Sequence, residues 1–188
     1  MIILASTSPR RIEIFNRLGL SFKVVPHLFD ESSIAGIAPY YLPVVLAREK
    51  AKSIAGQNRG CTVIGFDTIV IHNNKILGKP KDIYEAKAFL TQLSGEYHDV
   101  VSGTSIISYE NKIDCSFFDI SKVKFKTLSS ETISEYMKKV NTLDKAGAYA
   151  IQEYGEMIIE RTEGSIDNII GIPTEKLIKH LKAYKITS

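Results

Sequence analysis

The chain has 188 residues, 44% of them hydrophobic and 24% charged, which suits a globular protein with one sizeable core or two modest lobes. Its formal net charge of +3 is spread along the sequence rather than gathered in a block, so nucleic-acid binding is not indicated and any anion site must be local. The 2 cysteines, Cys61 and Cys115, have neither metal-ligand spacing nor a disulfide framework around them; no long apolar span, signal peptide or lipidation motif appears, which argues against a membrane role and makes the cytoplasm the expected compartment.

The stretch from Ile2 to Arg11 reads as strand, tight turn and helix. Ser8 suits an N-cap, Pro9 the first helical position, and Ile12, Phe15 and Leu18 recur at helical spacing until Gly19. Arg10 and Arg11 add positive charge at the positive end of the helix dipole, where acidic residues would be favoured by about 0.3–1 kcal/mol each. Hydroxyls from Ser6 and Ser8, backbone N–H groups and guanidinium forks at such a terminus suit a phosphate; on this stretch alone, a solvated arginine pair is the plain alternative.

Phe22 to Val25 reads as a second strand, and Pro26 to Pro39 as a loop carrying Asp30 and Glu31. From Tyr40 to Ala55 the pattern is helical, with Pro43, Leu46, Ala47, Ala51 and Ile54 on one arc. Lys50 falls inside that arc, whereas Arg48, Glu49 and Lys52 fall outside it. A lysine there needs an anionic partner or a wet cleft, unless its stem snorkels along the helix edge. Cys61 to Ile71 suits a strand buried on both faces, yet Asp67 interrupts its middle, and a carboxylate there is costly unless paired, hydrogen-bonded or bound to metal. Asn73-Asn74 then turns the chain back through Lys75–Leu77, a hairpin able to bring Lys79 back near Asp67.

Asp82 and Glu85 read as the capping box of a helix with Ala86, Phe89, Leu90 and Leu93 inside. Strands are predicted over His98 to Tyr109 and Ile113 to Thr127, the second with Lys122, Lys124 and Lys126 on its exposed face. His98 is expected to be structural or a hydrogen bonder rather than a metal ligand. Ser129 or Ser130 opens a helix facing inward through Ile133, Tyr136, Met137 and Val140. Asp144 to Gln152 reads as a flexible turn entering a short strand, Met157–Glu160 and Asn168–Ile172 as the last strands, and Pro173 as the start of a closing helix with Leu177, Ile178, Leu181 and Tyr184 on its apolar side. Interspersed helices and hairpins predict an α/β class with a mixed sheet, in a single domain over residues 1–188 without a separable linker.

No Walker A loop is present, because Gly78-Lys79 runs into Pro80, and no dinucleotide glycine fingerprint appears. The chemistry-bearing residues form a dispersed set: Ser6, Ser8, Arg10, Arg11, Glu31, Lys50, Asp67, Lys79 and Gln152. Cations and hydroxyls suit a polyphosphate, and two carboxylates suit a divalent ion bridging it.

Taken in order, LASTSPRR at 4–11, DE at 30–31, LAREKA at 46–51, GFDTIV at 65–70, LGKP at 77–80, LSGEYH at 93–98, DKAGAYAIQ at 144–152 and GSIDNIIGIP at 164–173 closely resemble the Maf family of nucleoside triphosphate pyrophosphatases. The resemblance implies a two-lobed Maf/ITPase-like fold with a cleft between the lobes. It also implies hydrolysis of a nucleoside triphosphate to monophosphate and pyrophosphate with Mg²⁺ or Mn²⁺, and a homodimer. By motif position Asp67 would be the proton acceptor, and Glu31, with Asp67, would hold the metal. Lys50, Lys79, Arg11, Ser6 and Ser8 would hold the triphosphate. Arg10, Thr68 and Gln152 match positions associated with base choice in the branch active on dTTP and UTP, and a glutamine amide can accept from N3–H and donate to O4 of either pyrimidine.

Three residues depart from the family pattern. Phe66 stands where a small residue is usual, Glu153 where glycine is common and Ile166 where an aromatic is frequent. Glu153 either adds negative charge near the base or ribose or points to solvent. A nucleotide-sensing regulator of septum formation, acting through a protein partner, is the alternative class, although retention of acid, cations and amide together favours catalysis.

Overall fold

The computed structural model describes residues 1–187. Strands β1 (Ile2–Leu4), β2 (Phe22–Val24), β3 (Thr62–His72), β4 (Lys75–Leu77), β5 (Tyr97–Ser108), β6 (Ile113–Phe125) and β7 (Ile159–Glu163) form a 7-stranded sheet in the order β2-β1-β3-β5-β6-β7, with β4 paired to β3. The sheet is mixed: β1 runs parallel to β2 and β3, whereas the β3/β4 and β6/β7 pairs are antiparallel. The helices are α1 (Pro9–Arg17), α2 (Leu42–Ala55), α3 (Ile83–Leu93), α4 (Ser130–Lys139), α5 (Ile166–Ile170) and α6 (Thr174–Ala183). The chain divides into two compact units, and β3, β5 and β6 each contribute residues to both.

The first unit comprises Met1–Asp67, Ser102–Asp119 and the chain from Gly171 onward. Its core gathers Ile3 of β1 and Ala5 just beyond it with Ala51 and Ile54 of α2, Val63 of β3 and Ile107 of β5. Helix α2 is seated directly on two glycines of this sheet. A Cβ on Gly65 of β3 would fall 2.3 Å from the Ala47 carbonyl oxygen, and one on Gly103 of β5 would fall 2.3 Å from that of Pro43. Only a bare backbone on both strands lets the helix lie so close. Arg48 then ties α2 to β6 through a two-pronged pair with Asp114, at 3.0 and 2.5 Å. Phe66, the bulky departure, is fully buried and packs edge-to-face on Phe15 of α1, ring centroids 5.8 Å apart.

The second unit comprises Thr68–Val101 and Ile120–Ile170. Leu77, Leu90, Leu93, Val123, Phe125, Ile133, Tyr136 and Ile158 belong to its core. Asp82 caps α3 by accepting from the Glu85 N–H at 2.8 Å, but Glu85 reaches back to the Lys81 N–H at 2.7 Å, one residue outside the expected capping box. Ser129 caps α4.

Two strand expectations fail here. Asn168–Ile172 is not a strand: Gly164 turns at φ +91°, Ser165 Oγ accepts from the Asn168 N–H at 3.3 Å, and a helical turn, α5, follows. The buried Asn168 amide fixes this turn by donating to the Val100 carbonyl at 3.1 Å and to Ser121 Oγ at 3.0 Å, so local capping overrides the β preference of the isoleucines. Nor does the Asp144–Gln152 segment end in the short strand expected there. The Tyr136 hydroxyl takes up both backbone groups of Ala150, accepting at 3.1 Å and donating at 3.4 Å, and the chain turns again at Ile151. The strand placed at Met157–Glu160 lies later, over Ile159–Glu163, after a 3₁₀ turn at Gly155–Met157.

Candidate active site

Lys50 lies on the buried arc of α2, 5% exposed, and a buried ammonium requires counter-charge. It has two partners in the first unit: Asp67 Oδ1 at 2.6 Å and Glu31 Oε1 at 2.8 Å. Asp67 is buried on β3, two residues beyond Gly65, while the half-exposed Glu31 comes from a 3₁₀ turn, Glu31–Ser33, capped by the Asp30 side chain. Burial pushes the Asp67 carboxyl above its ordinary pKa, and the Lys50 and Arg11 charges oppose the shift without reversing it. The same strand-helix packing that buries this acid also supplies its cation.

The N-terminal turn is organised differently from its sequence reading. Ser8 is the N-cap residue of α1, but its side chain makes no capping bond. Instead its own N–H donates to Ser6 Oγ at 3.3 Å. The Arg11 guanidinium donates to Ser6 Oγ at 3.3 Å, to the Phe66 carbonyl at 3.2 Å and, through Nε, to the Gly171 carbonyl ahead of α6 at 3.2 Å. Burial lowers the Arg11 pKa, and the Asp67 charge opposes that effect. One guanidinium thus joins the β1 turn, β3 and the approach to α6 while standing in the field of Asp67. Arg10, in the first turn of α1, is half-buried.

The structure therefore brings Ser6, Ser8, Arg11, Glu31, Lys50 and Asp67 together in one unit. Thr68, Lys79 and Gln152 belong to the other. Thr68 is half-buried on β3, Lys79 is exposed beyond β4, and Gln152 is exposed on the turn at Ile151–Tyr154. Glu153 does not simply meet solvent: its Oε2 lies 3.1 Å from the Nζ of Lys145, a lysine only 3% exposed that also donates to Asp144 Oδ1 at 2.7 Å. Sequence reasoning missed Lys145, although its place beside the small apolar run Ala146–Ala150 was a signal of burial. It also missed His27, on the loop before Glu31, whose pKa is lowered first by burial and then by the Lys50 charge. His98 is buried and pairs with the Tyr149 hydroxyl at 2.8 Å, the structural role expected of it.

Among the described residues no cluster of three or more His, Cys, Asp or Glu side chains gathers to hold a metal unaided. Glu31 and Asp67 both reach the Lys50 ammonium, at 2.8 and 2.6 Å, so the two carboxylates lie on either side of one cationic group. A pair of carboxylates completed by substrate phosphates is the kind of donor set that hard divalent cations such as Mg²⁺ accept.

Known proteins similar to this chain match it over nearly its whole length. Residues 1–184 match the family model described as "Maf-like protein". A protein of Clostridioides difficile (strain 630) named "dTTP/UTP pyrophosphatase" is 43% identical over 97% of this chain and 94% of its own. One of Aquifex aeolicus (strain VF5), with the same name, is 45% identical over 96% and 94%. The buried acid held by a helix-borne lysine, the arginine-locked N-terminal turn and the turn bearing Gln152 lie within the matched region, and the chain belongs to the Maf-like family.

Proposed function

We propose that this protein hydrolyses dTTP and UTP, with modified pyrimidine nucleotides as further candidates, to the nucleoside monophosphate and pyrophosphate. The observation that carries the reading is the Asp67 carboxylate, buried at 2.6 Å from the Lys50 ammonium with its pKa raised. The names of the relatives give the substrate class.

Hydrolysis breaks one α–β anhydride bond and removes a proton from the attacking water. Asp67 accepts that proton, and its raised pKa makes the carboxylate a better base near neutral pH than an ordinary aspartate. Lys50 holds Asp67 in its charged form before substrate arrives and then adds positive charge for the phosphates. Arg11, Ser6, Ser8 and Lys79 bind the triphosphate, while Arg10, Thr68 and Gln152 select the base. Glu31 and Asp67 would hold Mg²⁺ or Mn²⁺, which when bound neutralises phosphate charge. A cytoplasmic homodimer completes the reading; light scattering in solution tests the dimer.

The experiment is pyrophosphate release from a panel of canonical and methylated nucleoside triphosphates with Mg²⁺ or Mn²⁺. Release that is fastest from dTTP and UTP is expected. Binding of a nucleotide without any release would reject the hydrolase and leave the sensing regulator; a purine preference would reject only the base assignment.

A further inference from the structure

Gln152 is an exposed side chain, yet the segment that carries it is anchored on both sides. Upstream, the Lys145 ammonium is satisfied by three oxygens: Asp144 Oδ1 at 2.7 Å, the Asn141 carbonyl at 2.8 Å and Glu153 Oε2 at 3.1 Å. Gly147 turns at φ +67° with no room for a Cβ, which would lie 2.9 Å from Val70, and its N–H donates to the Gly78 carbonyl at 3.1 Å. Ala150 is held through both backbone groups by the buried Tyr136 hydroxyl. Downstream, Glu153 closes the segment back onto Lys145. An ion pair with one member buried this deeply is far less screened than a surface pair. The residue next to Gln152 in sequence is therefore fixed to a buried ammonium.

We propose that Glu153 and Lys145 are positioning residues for base selection: their ion pair fixes the backbone turn from which Gln152 reads a pyrimidine edge. The inference rests on the proposed pyrimidine preference and assigns Glu153 a part in it. Because Gly78 precedes Lys79, the Gly147–Gly78 bond also joins the glutamine segment to the turn bearing a proposed phosphate ligand. A side chain carried on a fixed turn loses less entropy when it meets a base edge than one on a turn that must be ordered at the same moment.

The test compares wild type, Glu153→Gln, Glu153→Asp and Gln152→Ala for kcat and KM with UTP, dTTP and a purine nucleoside triphosphate, with thermal melting as a check on folding. Glu153→Gln should raise KM for the pyrimidines about fivefold, the scale of one net hydrogen bond, with kcat nearly unchanged and the purine unaffected. Glu153→Asp should recover part of the loss. Adding Gln152→Ala to Glu153→Gln should cost no more than Gln152→Ala alone, because both changes remove the same contact. Hydrogen exchange at Ile151–Tyr154 should quicken in Glu153→Gln. If this variant melts normally and keeps its pyrimidine preference, or if its loss adds fully to that of Gln152→Ala, the positioning role is overturned while the functional reading stands. If wild type itself shows no pyrimidine preference, the base assignment fails, and this inference with it.

Discussion

The Lys50 ammonium stands 2.6 Å from Asp67 Oδ1, and both groups are nearly inaccessible to water. Burial alone would favour a neutral carboxyl; the ammonium limits that shift without abolishing it. A base acts when deprotonated, so kcat/KM should fall as pH drops through the raised pKa of Asp67, placing the acid limb above the ordinary aspartate range. A pH profile with metal-saturated nucleotide checks this, and carbon-detected titration of Asp67 should show a further rise in Lys50→Met. Asp67→Asn should lower kcat by about a hundredfold or more while nucleotide affinity changes little.

Helix α2 owes its closeness to Gly65 and Gly103. Gly65→Ala would drive a methyl group into backbone atoms of Ala47 and Ala51, which cannot move aside as a flexible side chain would. Denaturant unfolding should show a loss of about 1–3 kcal/mol, the usual cost of overpacking. Turnover should fall further than stability explains, because the displaced helix carries Lys50 away from Asp67.

Arg11 and Lys79 are both proposed to bind the triphosphate, but of the two only Arg11 is built into the fold. Arg11→Met should lower stability by about 1–3 kcal/mol through the carbonyls of Phe66 and Gly171 left without their donor, as well as lowering activity. Lys79→Ala, at an exposed position, should raise KM and leave the melting temperature unchanged. Melting curves and steady-state kinetics on the pair separate the two roles.

His98 is buried neutral, its pKa lowered from 6.5 to about 3 chiefly by desolvation. A depressed folded pKa means that the unfolded chain binds the proton first. The stability His98 contributes is therefore complete above about pH 6.5 and is lost as pH falls toward 3. Urea unfolding from pH 7 to pH 4 should show a decline to which this residue contributes on the order of a few kcal/mol, and His98→Gln should flatten it.

Much of this arrangement was legible locally. The phase of α2 placed Lys50 on the buried arc, and the apolar run around Asp67 marked the acid as anomalous. Their partnership was not legible, because it depends on two glycines on different strands that let a helix approach. Arg11 is a sharper case: Gly171, whose carbonyl it holds, lies near the other end of the chain, and nothing in the N-terminal turn announces it. The misplaced strand at Asn168–Ile172 shows the limit of composition, since a buried asparagine amide and a serine cap outweighed a run of β-branched residues. Glu153 is legible in sequence only as a departure, because its partner Lys145 lies eight residues away across a turn that no local pattern announces.

The depth of Lys50 has a consequence for its reactivity. Amine acylation requires room for the reagent at the nitrogen, and this one, 5% exposed and gripped by two carboxylates, offers none. Treated with an activated ester, the protein would acquire acyl groups on surface lysines such as Lys79 while Lys50 stayed unmodified, so its labelling in a mass spectrum would report that helix α2 had left its seat.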